Sequence, residues 1–307
     1  MLCRITDPRI RESSGLAVAG DSLYTVNDGG DRLQVFVLDR ACRVRRVIEN
    51  RLNPYDVEDL ARSPDGTLWL ADIGDNEAAR RTVAVELLTE GGEASLFRFS
   101  YPDGPHDAEA LLLDRRSRPY LVTKEPLAAG VYTPTRTPSS DRPTPLRLVT
   151  TLRFGPTSTP GGPVGTASQV LVTGGAVSPD GTRLALRTYT DAYLWSVPDG
   201  DVAAALKTGQ PKRIPLPATR QGEAIAFAAD GRSLLTSTEG LPAPVHAVPL
   251  DADPPTSRPG STTPAPSARA SDPPGDGSSN LGNAAVAALL AAGLVWLGGK
   301  ALTAIRR

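Results

Sequence analysis

Apolar and polar positions along this chain repeat as short hairpins. From Tyr55 to Asn76 (YDVEDLARSPDGTLWLADIGDN) two apolar runs flank Pro64-Asp65-Gly66, the residue chemistry of a tight turn between antiparallel strands. The first run opens with Glu58 and Asp59; the second, Leu68 to Ala71, ends at Asp72, Asp75 and Asn76. Antiparallel pairing predicts that these acids meet at one edge. The pattern recurs at His106 to Glu125, at Gln221 to Gly240, and at Val172 to Tyr189, where Thr173 replaces the acid. Glu12 to Gly30 is the loosest copy, with Ser13 or Ser14 at that place.

The copies begin about 45 to 65 residues apart, a period that predicts propeller blades of about four strands. Alternating runs at Leu33 to Asp39, Cys42 to Glu49, Thr82 to Leu88, Ala94 to Tyr101, Gly130 to Thr135, Leu146 to Phe154, Ala192 to Val197 and Arg213 to Leu216 supply outer strands. The fifth copy has only Val245 to Leu250, so Cys3 to Thr6 is expected to complete it and remove the open edges. The expected fold is all-β: a single β-propeller over residues 1–250, five-bladed and closed by the N-terminal strand. It is six-bladed if Thr133 to Leu171 hides strands, although Gly155 to Gly165 reads as a surface loop.

Composition narrows the picture. Aromatics are 5% of the chain, with 29 Gly and 29 Pro, which suits short strands and tight turns. A net charge of −1, with no basic stripe, sets nucleic acid aside. Residues 251–280, rich in Pro, Ser and Thr, read as an extended disordered stalk. Residues 281–299 are uncharged and long enough to cross a bilayer as a helix, with Trp296 at an interface. Lys300, Arg306 and Arg307 in the tail 300–307 place that end in the cytoplasm and the propeller outside. An amphipathic or core helix is the alternative.

Met1 to Ile10 lacks the pattern of a secretory leader, so an external monomeric propeller requires a start upstream of Met1. If Met1 is the start, the chain is tail-anchored with its propeller in the cytoplasm. Cys3 and Cys42, the only cysteines, suggest a disulfide if the domain is extracellular, and otherwise two buried thiols.

First strands of blades line a propeller's tunnel, which predicts Glu58, Glu109 and Glu223 around one mouth. Asp28, Asp72, Asp75, Lys124, Glu125, Arg187 and Glu239, from second strands, are expected on the same rim, with Asp59 beside Glu58. Converging acids raise one another's pKa and attract a cation. Calcium on Glu58, Glu109 and Glu223, with a neutral oxygen from Asn76, is the expected metal site. Alternatively each acid bonds backbone N–H groups at a turn or pairs with Lys124 or Arg187.

For catalysis the chain offers two histidines. His246 lies in a third strand away from the tunnel, whereas His106 stands at the rim where Ser13 or Ser14 would approach it. No GxSxG elbow, Walker loop, Rossmann fingerprint, HExxH or CxxC is present. Three functions follow in order: ligand, cation or partner binding at an acidic mouth; metal-dependent hydrolysis of a phosphate ester or lactone with His106 moving a proton; and a structural scaffold.

The SPDG-like turns, together with SSGL (Ser13 to Leu16), DVEDL (Asp56 to Leu60) and DAEAL (Asp107 to Leu111), resemble bacterial β-propellers of the esterase-like phytase and SdiA-regulated group. The likeness runs from about Arg4 to Leu250, and the stalk-plus-anchor end resembles actinobacterial surface proteins. The resemblance implies calcium held in acid clusters on one face. No catalytic set of that group maps onto this chain residue by residue, so it implies no activity.

Overall fold

The computed structural model describes residues 1–250; the expected stalk, membrane span and basic tail lie outside the described residues. Strand β1 is Cys3–Ile5. A first sheet holds β2 (Ser13–Ala19), β3 (Ser22–Asn27), β4 (Leu33–Leu38) and β5 (Val44–Asn50), and a second β6 (Val57–Arg62), β7 (Leu68–Asp72), β8 (Val83–Leu88) and β9 (Ala94–Ser100). The third contains β10 (Ala108–Leu113), β11 (Pro119–Thr123), β12 (Ala129–Pro134) and β13 (Thr144–Leu152). The fourth contains β14 (Val172–Val177), β15 (Arg183–Thr188), β16 (Asp191–Ser196) and β17 (Lys212–Pro215). The fifth is β18 (Gly222–Phe227), β19 (Ser233–Thr238) and β20 (Ala243–Pro249), with β1 as its outermost strand.

Within each sheet neighbouring strands run antiparallel, and a tight turn joins the first strand to the second. In the two SPDG turns the serine hydroxyl donates to the turn aspartate, Ser63 to Asp65 and Ser178 to Asp180, both at 2.6 Å. The glycines that follow take φ of +94° at Gly66 and +67° at Gly181, values that a side chain would strain.

Burial of apolar side chains closes the ring. Their five clusters each fill one gap between successive sheets. Val35 and Tyr24 meet Leu60 and Leu70; Val85 and Phe99 meet Leu111 and Leu121; Leu112 and Val122 meet Leu184 and Trp195. Ala185 and Leu216 then meet Ile225 and Leu234, and Leu235 and Val245 return to Leu16 and Phe36. First strands follow the same circuit, β2 beside β6, β6 beside β10, β10 beside β14, β14 beside β18, and β18 beside β2. The result is a β-propeller arrangement of five sheets about one axis.

Two features lie outside the sequence expectation. β9 and β13, the outer strands of the second and third sheets, pair in parallel through Thr144 with Phe99 and Pro145 with Ser100. A seven-residue helix α1, Val202–Thr208, capped by Asp201 accepting from Ala204 N, buries Val202, Ala205 and Leu206 against the third and fourth sheets. The stretch 133–171 contains β13 and a single 3₁₀ turn at Gly165–Gln169, with no further four-stranded set.

β1 pairs with β20, Cys3 opposite Val245 and Ile5 opposite Ala243. The Cys3 and Cys42 sulfurs are bonded, with Cα atoms 5.7 Å apart, linking this strand to the turn between β4 and β5. A loop of this length stabilises by about 4 kcal/mol in the chain-entropy model. Reduction is therefore expected to lower the melting temperature by roughly 8–16 °C. Calorimetry with and without a phosphine reductant measures it. Among the described residues no helix is long and apolar enough to cross a membrane.

Candidate functional site: an acidic tunnel mouth

All five first strands carry a bulge at the same level. Pairing to the second strand jumps from Ser13 to Gly15, Val57 to Asp59, Ala108 to Ala110, Val172 to Gly174, and Gly222 to Ile225. The residues skipped are Ser14, Glu58, Glu109, Thr173 and, with Ala224, Glu223. A bulge leaves its extra residue out of the ladder and re-aims its side chain. Repeated five times around an axis, it delivers the three glutamates toward the tunnel.

Those glutamates are buried, with exposures of 5%, 4% and 3% for Glu58, Glu109 and Glu223. One carboxylate oxygen each of Asp28, Asp56 and Glu58 lie within 4.8 Å of one another, and so do those of Glu58, Asp107 and Glu109. Glu58 is common to both triads, which draw on the first three sheets. Glu223 belongs to neither and has Lys124 and Arg187 as well as Glu109 and Glu239 for neighbours. Gly74 forms the wall behind the first triad: a Cβ there would stand 2.3 Å from Glu58 Oε1 and 2.5 Å from Asp56 Oδ2. Gly74→Ala is therefore expected to drive these carboxylates apart and to weaken at least tenfold any calcium binding that titration calorimetry detects in the parent, with the fold retained by circular dichroism.

Two cations lie under the acids. Lys124 Nζ donates to Glu109 Oε1 at 2.5 Å and lies 5.2 Å from the Tyr189 ring centre. Burial opposes its charge, but Glu109, Tyr189, Glu223 and Glu58 outweigh that and hold its pKa above the usual lysine range. Arg187 Nη1 donates to the carbonyls of Ala224 at 2.6 Å and Ser237 at 2.8 Å, and burial lowers its pKa to about 10 against the pull of Glu223.

Carboxyl groups here are pushed upward, first by burial and then by one another. Glu58 and Glu223 rise well above the usual range, Glu58 with Glu109, Asp28 and Asp56 adding to burial. Glu109 reaches about 7 although Lys124 pulls it down, and Glu239 about 8 with Asp28, Glu12 and Glu109 as neighbours. Glu223 Oε2 is buried with no hydrogen-bond partner among the described residues. An all-oxygen donor set of this density fits a hard divalent cation, calcium above all.

Other expected site residues have local partners. Asp59 is fully buried and accepts from the backbone N–H groups of Leu60, Leu111 and Gly175. Asp72 accepts from Tyr55 N and Asp56 N and pairs with Arg80 at 2.9 Å. Asp75 accepts from Ala79 N and Arg80 N, while its own N–H donates to Asp107. Asn76 is exposed in the loop after β7. Glu239 accepts from the Gln221 amide at the edge of a neighbouring groove.

His106 forms a separate cluster. Its Nδ1 is 2.6 Å from Glu125 and its Nε2 3.0 Å from Asp103 and 3.2 Å from the Tyr132 hydroxyl, with Tyr101 edge-on. Ser13 exchanges hydrogen bonds with Thr25 and Ser237, and Ser14 donates to the carbonyl of Val57. The serines' hydrogen bonds thus run within the ring of sheets, not to His106. His246 lies in β20, the third strand of the fifth sheet, between β19 and β1.

Asp56 and Asp107 were absent from the expected ligands. Each stands two residues before a tunnel glutamate, and side chains at i and i+2 of an extended segment share a face. The spacing in DVEDL and DAEAL carried that signal.

Behind the site, Glu86 is pushed up to about 9 by burial and then by Asp72. Its folded pKa lies above the unfolded value, so between about pH 4.5 and 9 the folded state holds a proton that the unfolded chain has lost. Stability from this group is present below that window and falls as pH rises through it, by about 1.4 kcal/mol per unit. Glu86→Gln is expected to melt higher than the parent at pH 8 and nearly equally at pH 5. Equal melting at both would remove Glu86 as a source of the slope.

No protein-family model matches the chain, and no curated protein sequence does. Among solved structures, a gluconolactonase from Xanthomonas campestris is 15% identical with a TM-score of 0.44, covering 78% of this chain and 72% of that one. A catalytically inactive virginiamycin B lyase from Staphylococcus aureus, solved with quinupristin, is 11% identical with a TM-score of 0.40, covering 79% and 71%. A chain of a nidogen/laminin complex is 14% identical with a TM-score of 0.43, covering 74% and 72%. No activity follows from likeness at this level.

Proposed function

We propose that this chain is a binding propeller that holds a divalent cation, calcium by preference, at its acidic tunnel mouth and engages a ligand or partner there. The observation that carries this reading is the pair of carboxylate triads sharing Glu58. Raised pKa values support it: burial first, and then neighbouring carboxylates, disfavour the ionised Glu58, and burial likewise raises Glu109, so that a cation bound there would favour their charged forms. Asp28, Asp56, Glu58, Asp107 and Glu109 would hold the ion, which would supply a fixed positive centre for an anionic or carbonyl oxygen.

Thermal melting of the EDTA-treated full chain at pH 7.5 under calcium tests it. Saturating calcium, at about 100 times its dissociation constant, is expected to add about 2.7 kcal/mol of stability. No shift in melting temperature up to 10 mM calcium, a level chosen on the order of ten times the weakest extracellular sites, would overturn the reading.

Metal-assisted hydrolysis of a phosphate ester or lactone stands second, favoured by His106 preceding Asp107, a member of the second triad. It requires turnover that EDTA abolishes. In the same reading residues 281–299 tether the chain to a membrane with the propeller outside, supported by their uncharged apolar run, the basic residues after it, and a disulfide suited to an oxidising compartment.

A further inference from the structure

The tunnel is plugged midway, so its two mouths are separate places. Asp59 Oδ2 accepts from Leu111 N at 2.8 Å and Gly175 N at 3.1 Å, and Oδ1 from Leu60 N at 2.8 Å. Gly15 packs so closely on this plug that a Cβ there would stand 2.4 Å from Leu60 N. Beyond it, at the turn end of the sheets, lies a cavity of about 210 Å³. Leu16, Val18, Leu60, Leu113, Val177 and Phe227 give it an apolar wall, and Arg62, Arg115 and Asp114 supply its charge.

SPDG turns seat both arginines. Arg62 lies over Gly66, where a Cβ would stand 2.9 Å from its Nη2, and Arg115 over Gly181, where a Cβ would stand 2.5 Å from its Nε. The acids nearby are committed to their turns: Asp65 to Ser63 and Thr67, Asp180 to Ser178 and Thr182, Asp114 to the backbone of Arg116 and Arg118. Arg115 Nη2 donates to the Asp180 carbonyl. Arg62 Nε is buried and donates to nothing among the described residues. A buried donor left without an acceptor costs about 1–3 kcal/mol.

We propose that this second mouth binds a small organic carboxylate, its apolar body in the well and its carboxylate against Arg62 and Arg115. The volume suits a body of about benzene size with a few more carbons, since a 150 Å³ apolar cavity takes benzene. Guanidinium forks match carboxylate geometry, and the apolar wall disfavours a hydrated inorganic anion. The proposal uses none of the acids at the other mouth and stands apart from the cation site.

The test is titration of the full chain with 3-phenylpropionate and hexanoate by calorimetry, with 3-phenylpropanol and hexylamine as carriers of the same bodies without the negative charge. Saturable carboxylate binding is expected, at least tenfold tighter than the alcohol or amine. Arg62→Gln and Arg115→Gln are each expected to weaken it at least tenfold while circular dichroism and melting stay as in the parent. Val177→Leu, which narrows the well and leaves both arginines, is expected to weaken 3-phenylpropionate more than hexanoate. Absence of saturable binding, equal binding of the alcohol, or unchanged affinity in both folded arginine variants would each overturn the proposal.

Discussion

Replacing Asp59 by alanine is expected to cost about 3–5 kcal/mol, among the largest losses a single substitution in this chain can bring. Its carboxylate accepts three backbone N–H groups, from Leu60 in the second sheet, Leu111 in the third and Gly175 in the fourth. Burial raises its pKa while those three donors lower it. Removal strands three buried donors, each costing about 1–3 kcal/mol, and leaves a cavity where the first strands of three sheets meet. Asp59→Asn separates charge from geometry: an amide oxygen at the Oδ2 position still serves Leu111 and Gly175, and only Leu60 N–H then faces an NH₂ group. The asparagine variant is therefore expected to lose less than half as much. Denaturant melts of both variants measure the difference, and an alanine cost under about 1 kcal/mol, the value of one ordinary hydrogen bond, would show that the plug does not join the sheets.

Glu58→Gln is expected to give the second large effect, on binding and not on folding. Glu58 belongs to both triads, so one substitution removes a ligand from each. Calcium affinity should fall at least about 100-fold, close to 2.7 kcal/mol, and the calcium-dependent rise in melting temperature should vanish with it. Without cation the same variant should be more stable than the parent at pH 8, because it removes a buried carboxyl held above its usual range by burial and by Glu109, Asp28 and Asp56. Glu223→Gln tests the boundary of the site. Glu223 stands outside both triads, and its loss should change calcium affinity less than tenfold while removing the charge that faces Arg187.

The fold was legible because its signals are local and repeated. Turn chemistry at Asp65-Gly66 and Asp230-Gly231 fixed where hairpins reverse, and strands buried on both faces, such as Ala108–Leu113, announced themselves as near-continuous apolar runs. A missing strand in the fifth sheet pointed to Cys3–Ile5, which pairs with β20. Helix α1 was not anticipated, because seven residues give barely two turns of periodicity and their burial depends on the third and fourth sheets. Parallel pairing of β9 with β13 depends on how two outer edges meet, which neither strand encodes alone.

At the site, Glu58, Glu109 and Glu223 could be named because the same position recurs in each repeat. What the sequence hid was the bulge. A regular strand would turn Glu58 and Asp59 to opposite faces, whereas the bulge lets both approach the axis, one into the acidic mouth and one into the backbone plug. Asp72 and Asp75 look like ligands in one dimension, yet backbone N–H groups within two loops absorb their oxygens. Asp56 and Asp107 share a rim with Glu58 and Glu109 through their i, i+2 spacing, but their closeness depends on the second and third sheets meeting there.

Calorimetric titration of calcium into the EDTA-treated chain, run side by side for the parent, Asp28→Asn, Glu58→Gln and Glu109→Gln at pH 7.5, bears most directly on the convergence of three sheets at one ion. The account predicts saturable binding in the parent, with net proton release as the raised carboxyls ionise, and weakening by all three substitutions, greatest for Glu58→Gln. No saturable heat in the folded parent, or affinity that ignores substitutions from the first and third sheets, would contradict it.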